Sequence, residues 1–332
     1  GELCVLPTET VYGLAMLPSH AGAVAKARAL KGRGEQQPFT WHIAARADLD
    51  RLVGNVPRHT ERLIDRYWPG PLTVILAVPG DGTAGVRLPA HDFTREVIAT
   101  CGEPLWLSSV NANGETPLVD AVVIIERFGK RVRLVVDDGP SPLGLASTIV
   151  RQTGARLEVL REGILTTDEV LRTAADLCLF VCSGNTCRSP LAEALARDLT
   201  ARTLGVARAE VLAHGLDFQS AGTSAMPGLP ASEGSIEVAA ELELDLDSHL
   251  SQPIDPELLR RASHVYCMSQ SHLLTILAEV PGVGDRTEML RLDGLDIADP
   301  YGADVRTYRR VRDEIRAAVG ARVPTWLGTS KA

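Results

Sequence analysis

The sequence predicts an α/β protein built from two domains. At 332 residues the chain is longer than one ordinary domain. Strand-like apolar runs alternate with helix-like segments along it. A new strand, glycine loop and helix begin near residue 174, after a helix-like segment that closes the first pattern. We therefore place the two domains at residues 1–173 and 174–332.

Local composition predicts the elements of the first domain. Apolar runs bounded by turn residues predict strands, and Ala-rich segments or helix-start residues predict helices. In chain order we expect a strand at 3–6, a helix at 21–30, strands at 72–78, 121–125 and 133–136, and a helix at 166–173. Gly and Pro mark the connections at 68–71 and 138–142.

The second domain alternates more regularly between strands and helices. We expect a strand at 177–181, a glycine loop, helices at 190–202 and 236–242, a strand at 264–268 and a long helix at 305–319. Such alternation is typical of a parallel sheet covered by helices.

Composition narrows the class of protein. Hydrophobic residues make up 45% and aromatic residues 4%, so the cores must consist mainly of aliphatic side chains. The net charge of −8 argues against a nucleic-acid-coating protein, and direct nucleic-acid binding is not expected.

Apolar runs such as 118–125 are far shorter than the roughly 20 residues of a membrane span. With no signal peptide recognised, we expect a cytoplasmic protein without membrane contact. The chain starts at Gly1, which leaves open whether residues precede it.

The cysteines do not follow a disulfide pattern. Six are scattered along the chain, and reduced thiols are the default for a protein of this kind. No Cys/His cluster has zinc-site spacing, so no metal site from a protein cluster is expected.

One loop in the second domain has the chemistry of a phosphate cradle. A strand leads into it, and Pro190 opens the helix that follows. Successive amides of a tight loop form an anion nest, and the helix points its positive end at the same place. Gly184 is expected to allow backbone angles closed to other residues, and Asn185 to tolerate left-handed geometry. The predicted loop residues are Ser183, Gly184, Asn185, Thr186, Cys187 and Ser189.

Cys182 is the predicted nucleophile of this loop. The helix end and Arg188 both favour its thiolate, which can attack phosphorus. The planar guanidinium of Arg188 matches two phosphate oxygens, and the Ser189 hydroxyl is close enough in sequence to donate to the sulfur. An isolated cysteine and arginine at this spacing are more often a buried thiol and a surface cation. The surrounding strand, loop, helix and a distant Asp-Pro favour the phosphate site.

Asp299 is the predicted proton donor. Breaking a phosphoester or phosphoramidate requires a proton on the leaving atom, and a carboxylic acid over the cradle supplies it. Pro300 would hold the loop and Tyr301 would wall the substrate slot. Asp-Pro alone is a common turn, and its place ahead of the final helix is what singles it out.

These motifs resemble the low-molecular-weight protein tyrosine phosphatase family over about residues 176–322. The resemblance rests on VCSGNTCRSPLAE at 181–193, SAGT at 220–223 and the Asp-Pro pair. It implies a small doubly wound parallel sheet, a phosphocysteine at Cys182 and no cofactor. It also implies that Asp299 acts first as acid and then as base for water. The implied substrate is a phosphoprotein.

Several alternatives stay open within this family. Thr186, followed later by Asp-Pro-aromatic-Gly, resembles the bacterial protein arginine phosphatases, so either phosphotyrosine or phosphoarginine is expected. Arsenate reduction needs further cysteines on a mobile segment, and only Cys267 lies in the relevant region. Cys187 either forms a reversible disulfide with Cys182 or is a buried small residue.

The first domain carries basic residues on turn-like segments. Lys31, Arg33, Arg87 and Arg161, interleaved with hydroxyl-rich loops, suit a triphosphate and a small zwitterion. Each segment alone is commonly a solvated turn or a rigid bend. Their order along the whole domain is the informative observation.

That order resembles the threonylcarbamoyl-AMP synthase (YrdC-like) family over about residues 2–170, most closely in PTETVYGL at 7–14 and WPGPLT at 68–73. It implies a twisted mixed sheet with a concave cleft. It also implies condensation of L-threonine, bicarbonate and ATP, with magnesium, into threonylcarbamoyl-adenylate for the tRNA t6A transfer machinery. The implied ATP contacts are Lys31, Arg33, Ser109, Asn111, Ser147 and Arg161, and the implied threonine contacts are Thr8, His42 and Arg87.

The first domain also departs from the family. Residues 34–42 (GEQQPFTWH) replace a compact apolar run, and Asn113 stands where a smaller residue is usual. A second hypothesis is therefore a non-catalytic module that binds nucleotide, threonine or RNA and regulates the phosphatase. The sequence as a whole favours a bifunctional enzyme.

Overall fold

The chain divides into two compact units, Gly1–Ala174 and Ala175–Ala332. The structure is a computed structural model that describes residues 1–35, 37–80, 82–111 and 115–329. Each unit has its own sheet and its own hydrophobic clusters. Within these ranges, no helix is both long and apolar enough to cross a membrane.

The first unit alternates short strands with six helices in the described ranges. Its strands are β1 Cys4–Leu6, β2 Gly13–Met16, β3 Thr40–His42, β4 Leu72–Val78, β5 Gly82–Arg87, β6 Leu105–Ser109, β7 Leu134–Val135, β8 Thr148–Thr153 and β9 Arg156–Arg161. Its helices are α1 Ala21–Lys31, α2 Leu49–Leu52, α3 Arg58–Tyr67, α4 Asp92–Cys101, α5 Ala121–Phe128 and α6 Thr167–Ala174.

Among the described residues, these nine strands form one mixed sheet in the order β7-β1-β2-β6-β3-β5-β4-β8-β9. The pairs β1/β7, β3/β5 and β4/β8 are parallel, and the others are antiparallel. The register places Gly13 opposite Ser109 and His42 opposite Arg87. The mixed sheet predicted for this half is therefore confirmed.

The strand predicted at 121–125 is wrong, because these residues belong to helix α5. The Asp120 side chain accepts a hydrogen bond from the Val122 amide at 2.7 Å and caps the helix. Ala121, Ile124 and Phe128 face the core at helical spacing. The β-branched composition suggested a strand, but the capping aspartate and this spacing favour a helix.

The second unit begins directly after α6. Its strands are β10 Asp176–Cys182, β11 Leu216–Gly222, β12 His264–Cys267 and β13 Thr287–Met289. Its helices are α7 Arg188–Leu204, α8 Glu233–Ala240, α9 Pro256–Arg261, α10 Gln270–Glu279 and α11 Val305–Trp326.

The second sheet is parallel throughout, in the order β11-β10-β12-β13, and helices cover both of its faces. Alternate side chains of β10 enter different cores. Phe180 packs in the cluster that contains α7 and α11 side chains, whereas Leu179 packs with Leu259 of α9 and Ile276 of α10. This confirms the doubly wound parallel sheet.

Candidate active sites

Strand β10 and helix α7 position the predicted phosphate loop. The buried strand ends at Cys182 and the helix begins at Arg188, so the loop lies at the carboxyl end of the sheet. Asn185 has a φ of 53°, the left-handed geometry expected of it. Gly184 is not left-handed, and a Cβ there would meet only Thr186 Oγ1 at 3.6 Å. The left-handed turn of the loop therefore depends on the asparagine rather than the glycine.

The Cys182 sulfur contacts the first turn of α7. Its Sγ lies 3.0 Å from Ser189 Oγ. Because Asn185 Nδ2 donates to Ser189 Oγ at 2.9 Å, the serine hydrogen is left for Cys182 Sγ or for Ala221 O at 3.4 Å. A thiolate would attract that hydrogen more strongly than a neutral carbonyl. Ser189 thus lies where the sequence predicted a donor to the sulfur.

Asn185 holds the loop to three residues outside it. Its Nδ2 also donates to Ser220 Oγ at 2.9 Å, and its Oδ1 accepts from the Gln252 amide at 2.8 Å. Its carbonyl lies 2.7 Å from His249 Nε2. No role was predicted for Gln252 or His249. Their contacts hold Asn185 in place within the loop.

The start of α7 meets the loop before α11 through Arg188. The residue is 5% exposed, its Nη1 donates to Ile297 O at 3.0 Å, and its Nη2 pairs with the Asp299 carboxylate. Its Nε is buried and has no hydrogen-bond partner among the described residues. The structure therefore brings Asp299 to the phosphate loop, as predicted.

A cavity of about 1030 Å³ opens over the phosphate loop. Tyr301, which is 76% exposed, lies on one wall, in the place predicted for the substrate slot. Residues with no predicted role also line the cavity. The predicted residues lining the cavity are Cys182, Ser183, Gly184, Thr186, Cys187, Arg188, Asp299 and Tyr301, and the added ones include Met226, Leu229, Glu233, Glu237 and Tyr308.

Cys187 is a free, buried thiol in the same cavity. Its Sγ donates to Ser232 Oγ at 3.2 Å and lies 3.7 Å from Tyr308 Oη. Burial raises the pKa of Tyr308, and the neighbouring Cys187 adds to that shift. The reversible disulfide with Cys182 stays a prediction.

The first unit has a cavity of about 250 Å³ at the predicted nucleotide and threonine site. Most of the predicted residues meet there. Thr8, Arg33, His42, Arg87, Ser109, Ser147 and Arg161 line it, together with the unpredicted Pro38, Phe39, Thr40 and Thr73. Lys31 and Asn111 lie beside it rather than in its wall.

A buried ion pair fixes Arg87. The residue is 4% exposed, its Nη2 donates to Glu9 Oε1 at 2.6 Å, and its Nε donates to Gly70 O at 3.1 Å. Burial lowers the pKa of Arg87, and the Glu9 carboxylate opposes that effect. No role was predicted for Glu9, although it lies within the motif at 7–14. The pair orients one guanidinium at the cavity.

Arg161 and Ser147 form a second polar group. Arg161 donates to Ser147 O through Nη2 at 2.7 Å and through Nε at 3.1 Å. Ser147 Oγ lies 2.9 Å from Thr73 Oγ1. Burial lowers the pKa of Arg161, and the positive charges of Arg87 and Arg33 add to that shift. Three guanidinium groups therefore converge, which suits a polyanionic ligand.

His42 is a neutral, hydrogen-bonded imidazole. Burial lowers its pKa to about 3, with the Arg87 charge as the second cause. Its Nδ1 lies 3.1 Å from Thr40 O. Because a carbonyl only accepts, Nδ1 must carry the hydrogen, which leaves Nε2 as an acceptor. The Thr8 hydroxyl, in contrast, donates to Val11 O at 2.6 Å within its own turn.

Lys31 ties the end of α1 to the end of β6. It is 4% exposed, and its Nζ donates to the carbonyls of Ser109, at 2.5 Å, and Asn111. Burial lowers its pKa to about 8, and the Arg33 charge contributes. Its direct contact with ATP phosphates stays a prediction. The departure noted at Asn113 lies outside the described residues.

Arg33 is held at the cavity by residues of the unusual segment. Its Nη1 donates to Pro38 O at 3.1 Å, and its guanidinium carbon lies 5.1 Å from the centre of the Phe39 ring. Pro38, Phe39, Thr40 and His42 of this segment therefore form part of the cavity wall. No group of three metal-binding side chains occurs among the residues described.

The two units define two classes of α/β domain, one with a basic cleft in a mixed sheet and one with the loop of a cysteine phosphatase. Residues 1–163 match the Sua5_yciO_yrdC family model, described as "Telomere recombination", and residues 177–325 match the model of low molecular weight phosphotyrosine protein phosphatases. The chain belongs to both families, the first through its N-terminal unit and the second through its C-terminal unit.

Curated relatives agree with this division. The threonylcarbamoyl-AMP synthase of Halorhodospira halophila is 31% identical over 43% of this chain and 78% of its own length. The protein-arginine-phosphatase of Geobacillus stearothermophilus is 36% identical over 42% of this chain and 89% of its own length. The threonylcarbamoyl-AMP synthase of Pyrococcus abyssi is 32% identical over 53% of this chain, which spans only 55% of that protein.

Proposed function

We propose that the chain is a bifunctional enzyme in which residues 1–173 and 174–332 are separate functional domains. The second domain would hydrolyse phosphoproteins through a phosphocysteine. The observation that carries this proposal is the meeting of Cys182, Arg188 and Asp299 at one cavity. A nucleophile, an oxyanion clamp and a proton donor are the parts that such a reaction requires.

The reaction would proceed in two balanced steps. The Cys182 thiolate attacks phosphorus while the bond to the leaving nitrogen or oxygen breaks, and protonated Asp299 gives that atom its proton. Asp299 then takes a proton from water, the water oxygen attacks phosphorus, and the S–P bond breaks. Phosphate leaves and the thiolate is restored. Arg188 and the loop amides would stabilise the charge on the equatorial oxygens in both steps.

We propose phosphoarginine as the preferred substrate. Thr186 lines the cavity beside the nucleophile. Two relatives named protein-arginine-phosphatase, 36% identical over 42% and 32% identical over 41% of this chain, support this choice. Phosphotyrosine, named in the description of the matching family, is the competing substrate.

A substrate comparison tests this choice. Phosphoarginine and phosphotyrosine peptides of one sequence would be hydrolysed by the wild-type chain and by Thr186→Ile, with Cys182→Ser as the inactive control. We expect the wild type to prefer phosphoarginine and the substitution to reduce that preference. An unchanged preference in Thr186→Ile, or a wild-type preference for phosphotyrosine, would overturn the assignment.

The first domain would condense L-threonine, bicarbonate and ATP into threonylcarbamoyl-adenylate, pyrophosphate and water. The converging guanidinium groups of Arg33, Arg87 and Arg161 support triphosphate binding. The Nε2 acceptor of His42 is suited to a donor group of threonine. Magnesium would enter on the ATP phosphates as part of that substrate. The adenylate would then pass to the t6A transfer machinery.

Pyrophosphate release tests the synthase. We expect release that requires both threonine and bicarbonate, because the adenylate forms only when both are bound. ATP binding without pyrophosphate release would favour the non-catalytic module.

Arsenate reduction by the second domain is not proposed. Cys267 is fully buried and its burial raises its pKa to about 12, which does not suit a relay thiol.

A further inference from the structure

His272 is a buried imidazole that contacts the phosphate loop and has no part in the chemistry proposed above. It lies in the first turn of α10 and is 4% exposed. Its Nε2 lies 2.9 Å from Ser183 Oγ, and its Nδ1 lies 2.8 Å from Ser269 Oγ. Ser269 Oγ in turn lies 2.8 Å from Ser271 Oγ. A chain of hydrogen bonds therefore joins the start of α10 to the residue next to the nucleophile.

Ser183 is held from two sides. Its carbonyl accepts a hydrogen bond from the Ser224 amide at 3.0 Å, and its hydroxyl is bonded to His272. Ser183 directly follows Cys182, so its amide is the first of the loop. The direction of loop amides decides how well they stabilise an oxyanion in the transition state. Fixing the Ser183 side chain therefore limits motion at the beginning of the cradle.

The surroundings of His272 keep the imidazole neutral. Burial lowers its pKa to about 4, the Arg188 charge adds to this, and Asp299 and Asp296 oppose it. A neutral imidazole has one donor and one acceptor, so one of the two serine hydroxyls donates to the ring and the other accepts from it. A charged ring would place a second cation near Arg188.

We propose that His272 is a positioning residue for the phosphatase reaction, which acts on the phosphate loop through the Ser183 hydroxyl. The proposal rests on the phosphatase function proposed above. The imidazole does not touch the reacting atoms. It holds the first residue of the loop in the orientation that binds the transferring phosphoryl group.

A double-mutant cycle in the full-length chain tests the proposal. Ser183→Ala, His272→Ala and the double variant would be assayed for kcat and KM with p-nitrophenyl phosphate, and for orthovanadate affinity by calorimetry. We expect each single variant to lose about tenfold in kcat and in vanadate affinity, with little change in KM. The kcat and vanadate affinity of the double variant should be no lower than those of the more impaired single variant, because both substitutions remove the same contact. His272→Gln, which keeps a donor and an acceptor, should recover part of the loss.

A matched control separates positioning from folding. Thr287→Ala removes another buried hydroxyl of this unit, whose Oγ1 donates to Val283 O at 2.7 Å. We expect it to lower the melting temperature and leave kcat unchanged. The proposal is overturned if His272→Ala behaves like this control, or if the two single effects add in the double variant. A wild type that binds vanadate but hydrolyses nothing would count against the proposed function, while the vanadate affinities would still decide the role of His272.

Discussion

At the scale of single residues, the phosphatase site depends on Arg188, a buried cation whose Nε has no hydrogen-bond partner among the described residues. A buried guanidinium is stable only when acceptors surround it. Ile297 O and the Asp299 carboxylate bind two nitrogens of Arg188, and Nε has no partner in the described part of the chain. An incoming phosphate would compete with Asp299 for Nη2 of Arg188. Binding would then release the carboxyl group that the leaving atom needs.

Arg188→Lys tests this role of the planar fork. Lysine keeps the charge but cannot bind two phosphate oxygens side by side. We expect kcat/KM for p-nitrophenyl phosphate to fall by about 10²–10³-fold. Arg202→Lys, in the same helix and 62% exposed at its side chain, is the control and should retain full activity. Similar activity in both variants would contradict the assigned clamp.

Two glycines near the loop should differ sharply in tolerance. A Cβ at Gly222 would lie 2.4 Å from Ser183 O and 2.9 Å from the Asn185 amide nitrogen, whereas one at Gly184 would meet nothing closer than 3.6 Å. We expect Gly222→Ala to lower the unfolding free energy by about 1–3 kcal/mol, because the loop must shift. Gly184→Ala should change it by less than about 1 kcal/mol. Urea denaturation of both variants measures this, and equal losses would refute the steric explanation.

The residue types of the phosphatase site could be predicted, but many of their partners could not. Cys182, Arg188 and Ser189 are close in sequence, so the loop chemistry could be inferred directly. His272 contacts Ser183 across 89 positions, and Glu9 contacts Arg87 across 78. Such contacts depend on how distant elements pack, and a single sequence carries no local signal for them.

At the scale of elements, both candidate sites form where strand ends meet loops. β10 ends at Cys182 and its parallel neighbour β11 ends at Gly222. In the first unit, the pairing of β3 with β5 brings His42 beside Arg87. Strand 72–78 and the β10 region could be predicted because their apolar runs are long and bounded by turns. Short strands such as β3 and β13 lack that signal, since three residues do not establish a period.

The contact between α1 and β6 gives a prediction about pH. The pKa of Lys31 is lowered from 10.5 to about 8, so its ammonium charge is lost as pH rises through 8. We expect ATP affinity to decrease above that pH, because a positive charge beside the triphosphate disappears. Between pH 8 and pH 10.5, Lys31 is protonated in the unfolded chain but largely neutral in the folded chain. The unfolded chain therefore binds more protons there, so this residue also makes the free energy of unfolding rise with pH over that range.

Calorimetric titration with ATP from pH 7 to 9.5 would measure the effect. Lys31→Met, which never carries the charge, is the control and should bind weakly with no such dependence. A wild-type affinity that stays constant across this range would show that Lys31 does not contribute charge to the nucleotide site.

At the scale of the whole molecule, charge is distributed unevenly. The net charge is −8, yet Arg33, Arg87 and Arg161 meet in one cavity of the first unit. Composition argues against nucleic-acid coating but could not reveal this local concentration of positive charge. Each cavity is lined by residues of one unit alone. This arrangement favours two activities that do not require each other.

The independence of the two activities can be tested in the full-length chain. Cys182→Ser should abolish phosphatase activity and leave threonine-dependent pyrophosphate release within about twofold of wild type, since the two cavities share no lining residue. Arg161→Ala should have the reverse effect. Phosphatase rates with and without ATP complete the test. If ATP changes the phosphatase rate several-fold and Arg161→Ala abolishes that response, the first unit regulates the second, and the regulatory hypothesis replaces independence. If neither occurs, the fusion joins two enzymes that share a chain but not a mechanism.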